Sequence, residues 1–409
     1  MHTLKDAYEL LAGRVEPLAP RLALATETLG LRVAEPVRAE SDWPSADVSM
    51  MDGYAARAAD LGGGRSLRVA VEVPAGSVPP PLPPVACARI FTGAVLPDGA
   101  DTVVPQEEVQ AGDGGAVVLP AAEQGACVRA AGAVCRAGHV LLEAGTLVTP
   151  ARLGMLVAVG PPSVRVYPRP RVALVTTGTE LLAPGESLRP GRIRDSNGPM
   201  LAALAASSRL SVVAAERVGD DLQRLVHTLG RASGEADLLV TSGGVSVGDY
   251  DLVPRALQEL GAEHLFHKVA VKPGKPILVA RLSGCWVIGL PGNPVSALVG
   301  WHLFAKPVAE RLAGAPEAIR PAYIRVVLAK SAANRGKRTV FAPARLRAGD
   351  PPRAELLAWQ GSHDIVAAAH ADALVVLAAG ARHAPGDVLE CLPLVDRALL
   401  ERSCRCPTN

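Results

Sequence analysis

Thr241–Asp251 reads TSGGVSVGDYD, and the apolar run Ala236–Val240 (ADLLV) leads straight into it. The run predicts a buried strand, which Ser242, Gly243 and Gly244 end. Ser246 and Gly248 follow, and Asp249 and Asp251 close the loop before a helical stretch, Leu252–Leu260. Glycines at a strand exit let backbone N–H groups converge on an anion. In open α/β sheets, ligands bind in the crevice at the carboxyl ends of the strands. The two acids would repel a bare phosphate, so the loop suggests a divalent cation, most often Mg2+, bridging protein and phosphate. A Gly-rich strand-to-helix loop with two solvated acids is the plainer alternative, and the loop alone does not separate the two.

The flanking sequence supplies the sheet. From Arg171 onward apolar runs alternate with helical stretches. Strand Val172–Val175 runs into TTGTE (Thr176–Glu180). The polar GRIRDSN (Gly191–Asn197) precedes a helix, Pro199–Ser207, with Ser196 or Asn197 as its cap. Strand Ser211–Ala214, the Gly219-Asp220-Asp221 turn and helix Leu222–Arg231 follow, and capping by Asp221 is the default reading of that acidic pair. Strands Ile277–Ala280 and Cys285–Leu290 come next, then PGNP (Pro291–Pro294) and a helix, Val295–Phe304. This alternation predicts a doubly wound, mostly parallel sheet with right-handed crossovers. Four loops, 176–180, 219–221, 241–251 and 290–296, then meet at one edge and gather Glu180, Asp220, Asp249 and Asp251. Lys268, Lys272 and Lys275 surround Pro273-Gly274, a basic turn suited to an oxyanion. Its bland alternative, a solvated loop, is disfavoured by the expectation that acids and lysines from separate strands meet at one crevice.

The rest of the chain reads differently. Leu4–Val15 has helical spacing, and Arg21–Arg32 is a second helical candidate ended by Pro36. Ser41–Ala55 is turn-rich, and Asp52 beside Gly53 reads as a turn residue. Short strands separated by Gly and Pro fill 62–150, with a stiff VPPPLPP spacer (Val78–Pro84) and the segment RIFTGAVLPDGAD (Arg89–Asp101). In that segment Thr92-Gly93 is a turn or a ligand contact. Val166–Arg171 is a domain boundary. After Gly314, regular short strands predict a barrel or sandwich of about 75 residues.

Composition excludes several classes. With 409 residues the chain exceeds one core. It is 49% apolar and 20% charged, hence globular, and only 3% aromatic, so Val, Leu and Ala must build its cores. A net charge of +2 gives no case for nucleic acid or a membrane surface. Seven irregularly spaced cysteines include no zinc-like pairing, and Cys404 and Cys406 read as free thiols in a polar tail. The longest stretch without acids or bases, Leu282–Ala305, is cut by Pro291–Pro294, so it cannot span a membrane as one helix. Lys5, Asp6 and Glu9 interrupt the start, leaving no signal peptide. A soluble cytoplasmic protein is expected.

With these residues in view, the chain resembles the molybdopterin molybdenumtransferase family, to which the gephyrin E domain is similar. The matching stretches are MDGYA (Met51–Ala55), FTGAVLPDGADTVVPQE (Phe91–Glu107), TTGTEL (Thr176–Leu181), GRIRDSN, SGGVSVGDYD, KPGKP (Lys272–Pro276), GLPGNPVSALV (Gly289–Val299) and QGSH (Gln360–His363). The resemblance implies a multidomain α/β plus β fold. Residues 1–44 and 140–167 would form a helical N-terminal linker domain, 45–139 an inserted β-rich domain, 168–315 the molybdopterin-binding α/β domain, and 320–397 a C-terminal β-barrel. It implies a homodimer whose sites combine one subunit's α/β domain with the other's inserted domain, which would bring in Asp52 and Thr92. The implied reaction joins molybdate to adenylylated molybdopterin with Mg2+, releasing AMP and molybdenum cofactor. Asp251, with Asp220 and Glu180, would hold the metal, and Lys268 and Lys272 the oxyanions. Lys272 and Pro273 with Arg338 and Ser362 would form the molybdate pocket. Ser242, Gly243, Gly244, Ser246, Gly292, Asn293 and Ser296 are further contact candidates. A molybdopterin adenylyltransferase and chaperones of molybdenum enzymes are the implied partners. Two departures stand out: Val134 replaces a usual aspartate, and Pro343 follows Phe341-Ala342 where a second arginine is usual. Val134 leaves open a non-catalytic molybdopterin-binding scaffold. The Val245-Ser246-Val247 insert and the additional domains argue against the adenylyltransferase of the preceding step.

Overall fold

The computed structural model describes residues 1–246, 251–315 and 319–394. Asp249, Cys404 and Cys406 lie outside the described residues. The chain divides into two compact units, one formed by residues 1–20 with 167 onward, the other by 21–166.

In the first unit a six-stranded sheet runs Ser211–Val218, Arg171–Thr177, Leu238–Ser242, Cys285–Leu290, Leu278–Leu282, Glu263–His267. Side chains alternate between its faces. Val172, Leu174, Leu238 and Val240 meet Leu201 and Ala205 of the helix Asn197–Ser207 on one side. Ala173, Val175 and Leu239 meet Leu225, Leu229, Val253 and Leu257 of the helices Leu222–Glu235 and Leu252–Glu259 on the other. Burial on both faces explains why these strands read as continuous apolar runs. Each fully buried Leu or Val contributes about 1.5–3 kcal/mol.

The first four strands are parallel, so their exits share one edge. The expectation for the remaining strands needs correction. Leu278–Leu282 and Cys285–Leu290 are antiparallel, joined by the two-residue turn Ser283-Gly284 with φ of 49° and 90°. Positive φ at both central residues matches the twist of a tight hairpin. Glu263–His267 adds a further antiparallel strand that the sequence reading missed.

Residues 324–393 close a barrel. Thr339–Arg347, Arg353–Leu356, Ile324–Leu328, Val388–Pro393 and Ala373–Leu377 form a ring of five strands, because Ala373–Leu377 pairs back to Thr339–Arg347. The short strand Val271–Lys272 joins this ring from the α/β side, parallel to Thr339 and Val340. Lys272 therefore stands at the barrel.

The helix Leu4–Leu11 carries a Thr3/Asp6 capping box and buries Ala7 and Leu11 in the core of the first unit. The second helical candidate, Arg21–Arg32, does not form. Arg21–Leu24 is a strand against Val166–Ser163, followed by one 3-10 turn, Ala25–Glu27. Pairing with a distant strand outweighs local helical spacing, a weak preference. In the second unit, residues 21–166, Val37–Arg38 pairs with Val140–Leu142. A second six-stranded sheet there runs Thr102–Pro105, Gly53–Ala56, Ala86–Ile90, Ser66–Val73, Ala116–Val118, Gln110–Ala111.

Candidate functional site

A cavity of about 750 Å³ opens where the parallel strands end. Glu180, Asp220 and Asp251 line it, with Ser242, Gly243, Gly244, Gly292 and Asn293. These three carboxylates come from three separate loops, and Asp195 adds a fourth to the same space.

Each loop is held by specific contacts. Gly243 has φ of 94°, and a Cβ there would sit 2.5 Å from the Thr177 carbonyl, so only glycine fits. Its N–H donates to the Leu290 carbonyl at 3.0 Å. That donor is used within the fold, which removes it from the anion-binding role expected of the loop. Asp220 accepts from the Thr179 N–H at 3.0 Å and from the Thr179 hydroxyl, so it shapes the neighbouring loop. Asp221 accepts from the Arg224 N–H at 3.0 Å and caps its helix, as its position predicts. Ser196 stands at the N-cap of Asn197–Ser207, as expected, but its side chain makes no capping bond; Asp195 instead accepts from the Gly198 N–H at 2.9 Å.

The cavity also contains residues that sequence reasoning did not single out. Thr176 donates to the buried Asp195 carboxylate at 2.7 Å, and Asn197, His363 and Ile365 complete the wall. The signal for Asp195 and Asn197 is present in GRIRDSN, where Asn197 reads as a helix cap and Asp195 is given no role.

Arg194 also lines this cavity, but the lysines and Arg338 expected to hold oxyanions do not. A second cavity in this unit, about 570 Å³, is lined by Lys272, Arg335, Lys337 and Arg338, with no acidic residue among its walls. The Arg338 guanidinium donates to the Val271 carbonyl at 3.2 Å. Buried Asn334 donates to the carbonyls of Arg338, Leu377 and Ala378 and fixes the turn that carries these cations. Arg335, Lys337 and Trp359 were not anticipated. Acids and lysines were expected in one crevice; the structure divides them between two cavities. The reason is that Val271–Lys272 leaves the α/β sheet to pair with the barrel.

Ser246, Lys268, Pro273, Ser296 and Ser362 line neither cavity. Ser246 is exposed, and Ser296 is buried in the helix Pro294–Gly300. Lys268 has φ of 77°, and its carbonyl accepts from the His2 N–H. Ser362 accepts from the Asn293 amide at 2.9 Å, which joins it to the acidic cavity's rim instead of to Arg338. Asp52 and Thr92 belong to the other unit, where one Asp52 oxygen accepts both the N–H and the hydroxyl of Thr92 at 2.8 Å.

Among the described residues, no three His, Cys, Asp or Glu side chains form a ready-made metal cage. Mg2+ is commonly held by one or two carboxylates, with water and substrate phosphate supplying the rest. Carboxylates lining a substrate-sized cavity fit that mode.

The MoeA N-terminal region (domain I and II) matches residues 2–160, the probable molybdopterin binding domain residues 173–311, and the MoeA C-terminal region (domain IV) residues 325–394. Molybdopterin molybdenumtransferase 2 of Mycobacterium tuberculosis is 38% identical over 380 residues, covering 88% of this chain and 94% of the relative. The chain belongs to the molybdopterin molybdenumtransferase family. It is therefore a transferase. Molybdopterin molybdenumtransferase of Nostoc is 39% identical, over 76% of this chain and 74% of the relative. The crystal structure of a molybdopterin biosynthesis MoeA protein from Pyrococcus horikoshii superposes with a TM-score of 0.83 at 28% identity, over 96% of this chain and 99% of that one. The closed five-stranded barrel at the C-terminal end belongs to this MoeA-like architecture.

Proposed function

We propose that this molybdenumtransferase-family chain acts in molybdenum cofactor synthesis, inserting molybdate into adenylylated molybdopterin and releasing AMP. The observation that carries the reading is the meeting of Glu180, Asp220 and Asp251 in one cavity at the exits of parallel strands. The phosphoanhydride of the substrate lies against these loops. Asp251, with Glu180 and Asp220, would hold Mg2+, which neutralises phosphate charge and polarises the bond to be cut. Asp220 keeps the Thr179 loop in place. Lys272 and Arg338 hold the molybdate oxyanion, with Arg335 and Lys337 adding to the field. Molybdate binds the two dithiolene sulfurs as oxo oxygens leave as water, carrying the thiol protons and protons from solvent, and a water oxygen completes the cleaved phosphoanhydride, so that AMP departs.

The test is AMP release from adenylylated molybdopterin supplied with molybdate and Mg2+. We expect Asp251→Ala to lower turnover by about a hundredfold or more, the scale of losing a key electrostatic group, with its thermal midpoint near wild type. Wild-type-like turnover in that variant removes the metal role. Substrate binding without AMP release by the unmodified protein would instead favour a non-catalytic scaffold.

A further inference from the structure

We infer that Asn197 is a positioning residue that holds the two substrate loops in register; the inference rests on the function proposed for the acidic cavity. Asn197 is only 7% exposed. Its amide nitrogen donates at 2.8 Å to the Ser242 hydroxyl and at 2.7 Å to the Gly292 carbonyl. Ser242 ends the strand Leu238–Ser242, and Gly292 lies just past the strand Cys285–Leu290. These strands are parallel neighbours, so one side chain ties together both exits.

Two further bonds extend the link. The Ser242 hydroxyl donates to the Pro291 carbonyl at 3.3 Å, and Asn293 donates to Ser362 at 2.9 Å. Asp195, clamped by Thr176 and Gly198, fixes the backbone from which Asn197 projects. The Oδ1 atom of Asn197 is buried without a partner among the described residues, so Nδ2 alone sets the orientation of the group. This chemistry requires an amide. A carboxylate of the same shape has no donor: it would face the Gly292 carbonyl with nothing to share, and it could bond Ser242 only by drawing that hydroxyl away from Pro291.

The test compares full-length Asn197→Asp, Ser242→Ala and their combination with wild type. Turnover is read as AMP release, together with KM for molybdate and amide exchange across 241–246 and 290–297. We expect turnover of Asn197→Asp to fall about tenfold or more, the scale of misplacing groups around a reacting bond. KM for molybdate stays within about twofold, because the cationic cavity is untouched, while exchange rises in both segments. Ser242→Ala moves the same readouts less. The double variant is no worse than Asn197→Asp, because both cut one link.

Unchanged exchange in both segments, unaffected turnover, or multiplicative losses in the double variant would each overturn the inference. Should Asn197→Asp not fold, Ser242→Ala cuts the same link from its other end and decides by the same readouts. A wild type that releases no AMP defeats the functional reading separately, and the exchange measurement still decides whether Asn197 pins the loops.

Discussion

Asp52 shows how one carboxylate organises a turn. Thr92 supplies it with a backbone N–H and a hydroxyl, and these two bonds, with a smaller contribution from Arg89, hold its pKa below the usual carboxylate value. The backbone donor is the larger cause. A depressed folded pKa means stability that is present above the ordinary aspartate range and lost as pH falls through the folded value. Thr92→Val keeps the backbone bond and removes the hydroxyl. The NMR titration midpoint of Asp52 should then rise part of the way toward an unperturbed aspartate. No change, or a full return, contradicts the assigned order of causes. At this scale the sequence was legible only in outline: Asp52-Gly53 marked a turn, but the partner forty residues away was invisible.

Elements show where local pattern suffices and where it fails. The apolar runs at 172–175, 238–240 and 285–290 became buried strands because burial on both faces leaves no polar alternation. Arg21–Leu24 became a strand because Ser163–Val166 lay ready to pair with it. The helix expected at Val295–Phe304 is interrupted by a π-turn, Trp301–Ala305, between Pro294–Gly300 and Lys306–Leu312. His302 sits in that turn, buried, and burial pushes its pKa down to about 4, with Lys306 a smaller cause. The unfolded chain therefore takes up a proton between about pH 6.5 and pH 4 that the folded chain refuses, so stability falls with pH across that window. The contribution from pH 7 to pH 5 is about 2 kcal/mol. Thermal unfolding of His302→Gln should lose correspondingly less than wild type over that interval. Equal slopes would show that the imidazole titrates freely.

At the scale of the whole molecule, each unit encloses its own core, and the first gathers both cavities. Their charges are opposite because their walls come from different layers: strand-exit loops supply acids, and a barrel turn supplies cations. This separation predicts separable binding. In equilibrium dialysis with molybdate, Lys272→Ala and Arg338→Ala should each weaken binding by about tenfold or more, the worth of a charge-assisted hydrogen bond. Asp251→Ala should leave molybdate affinity near wild type while losing AMP release. An equal loss of molybdate binding in Asp251→Ala would mean that the two cavities act as one. No helix among the described residues is long and apolar enough to cross a membrane, in keeping with Pro291–Pro294 dividing the one uncharged stretch.

The sequence by itself determined which runs would be buried, where glycine had to stand, and which family the chain joins. Those properties live in neighbouring residues, through side-chain hydrophobicity and backbone freedom. Only the tertiary structure decided that Leu278–Leu282 runs against its neighbour, that Lys272 leaves the acids for the barrel, and that Asn197 ties two strand exits together. Strand direction, cavity membership and hydrogen-bond partners depend on which distant segment competes best for each backbone and side-chain group. That competition is settled by pairing across the folded chain and leaves no local periodicity to read.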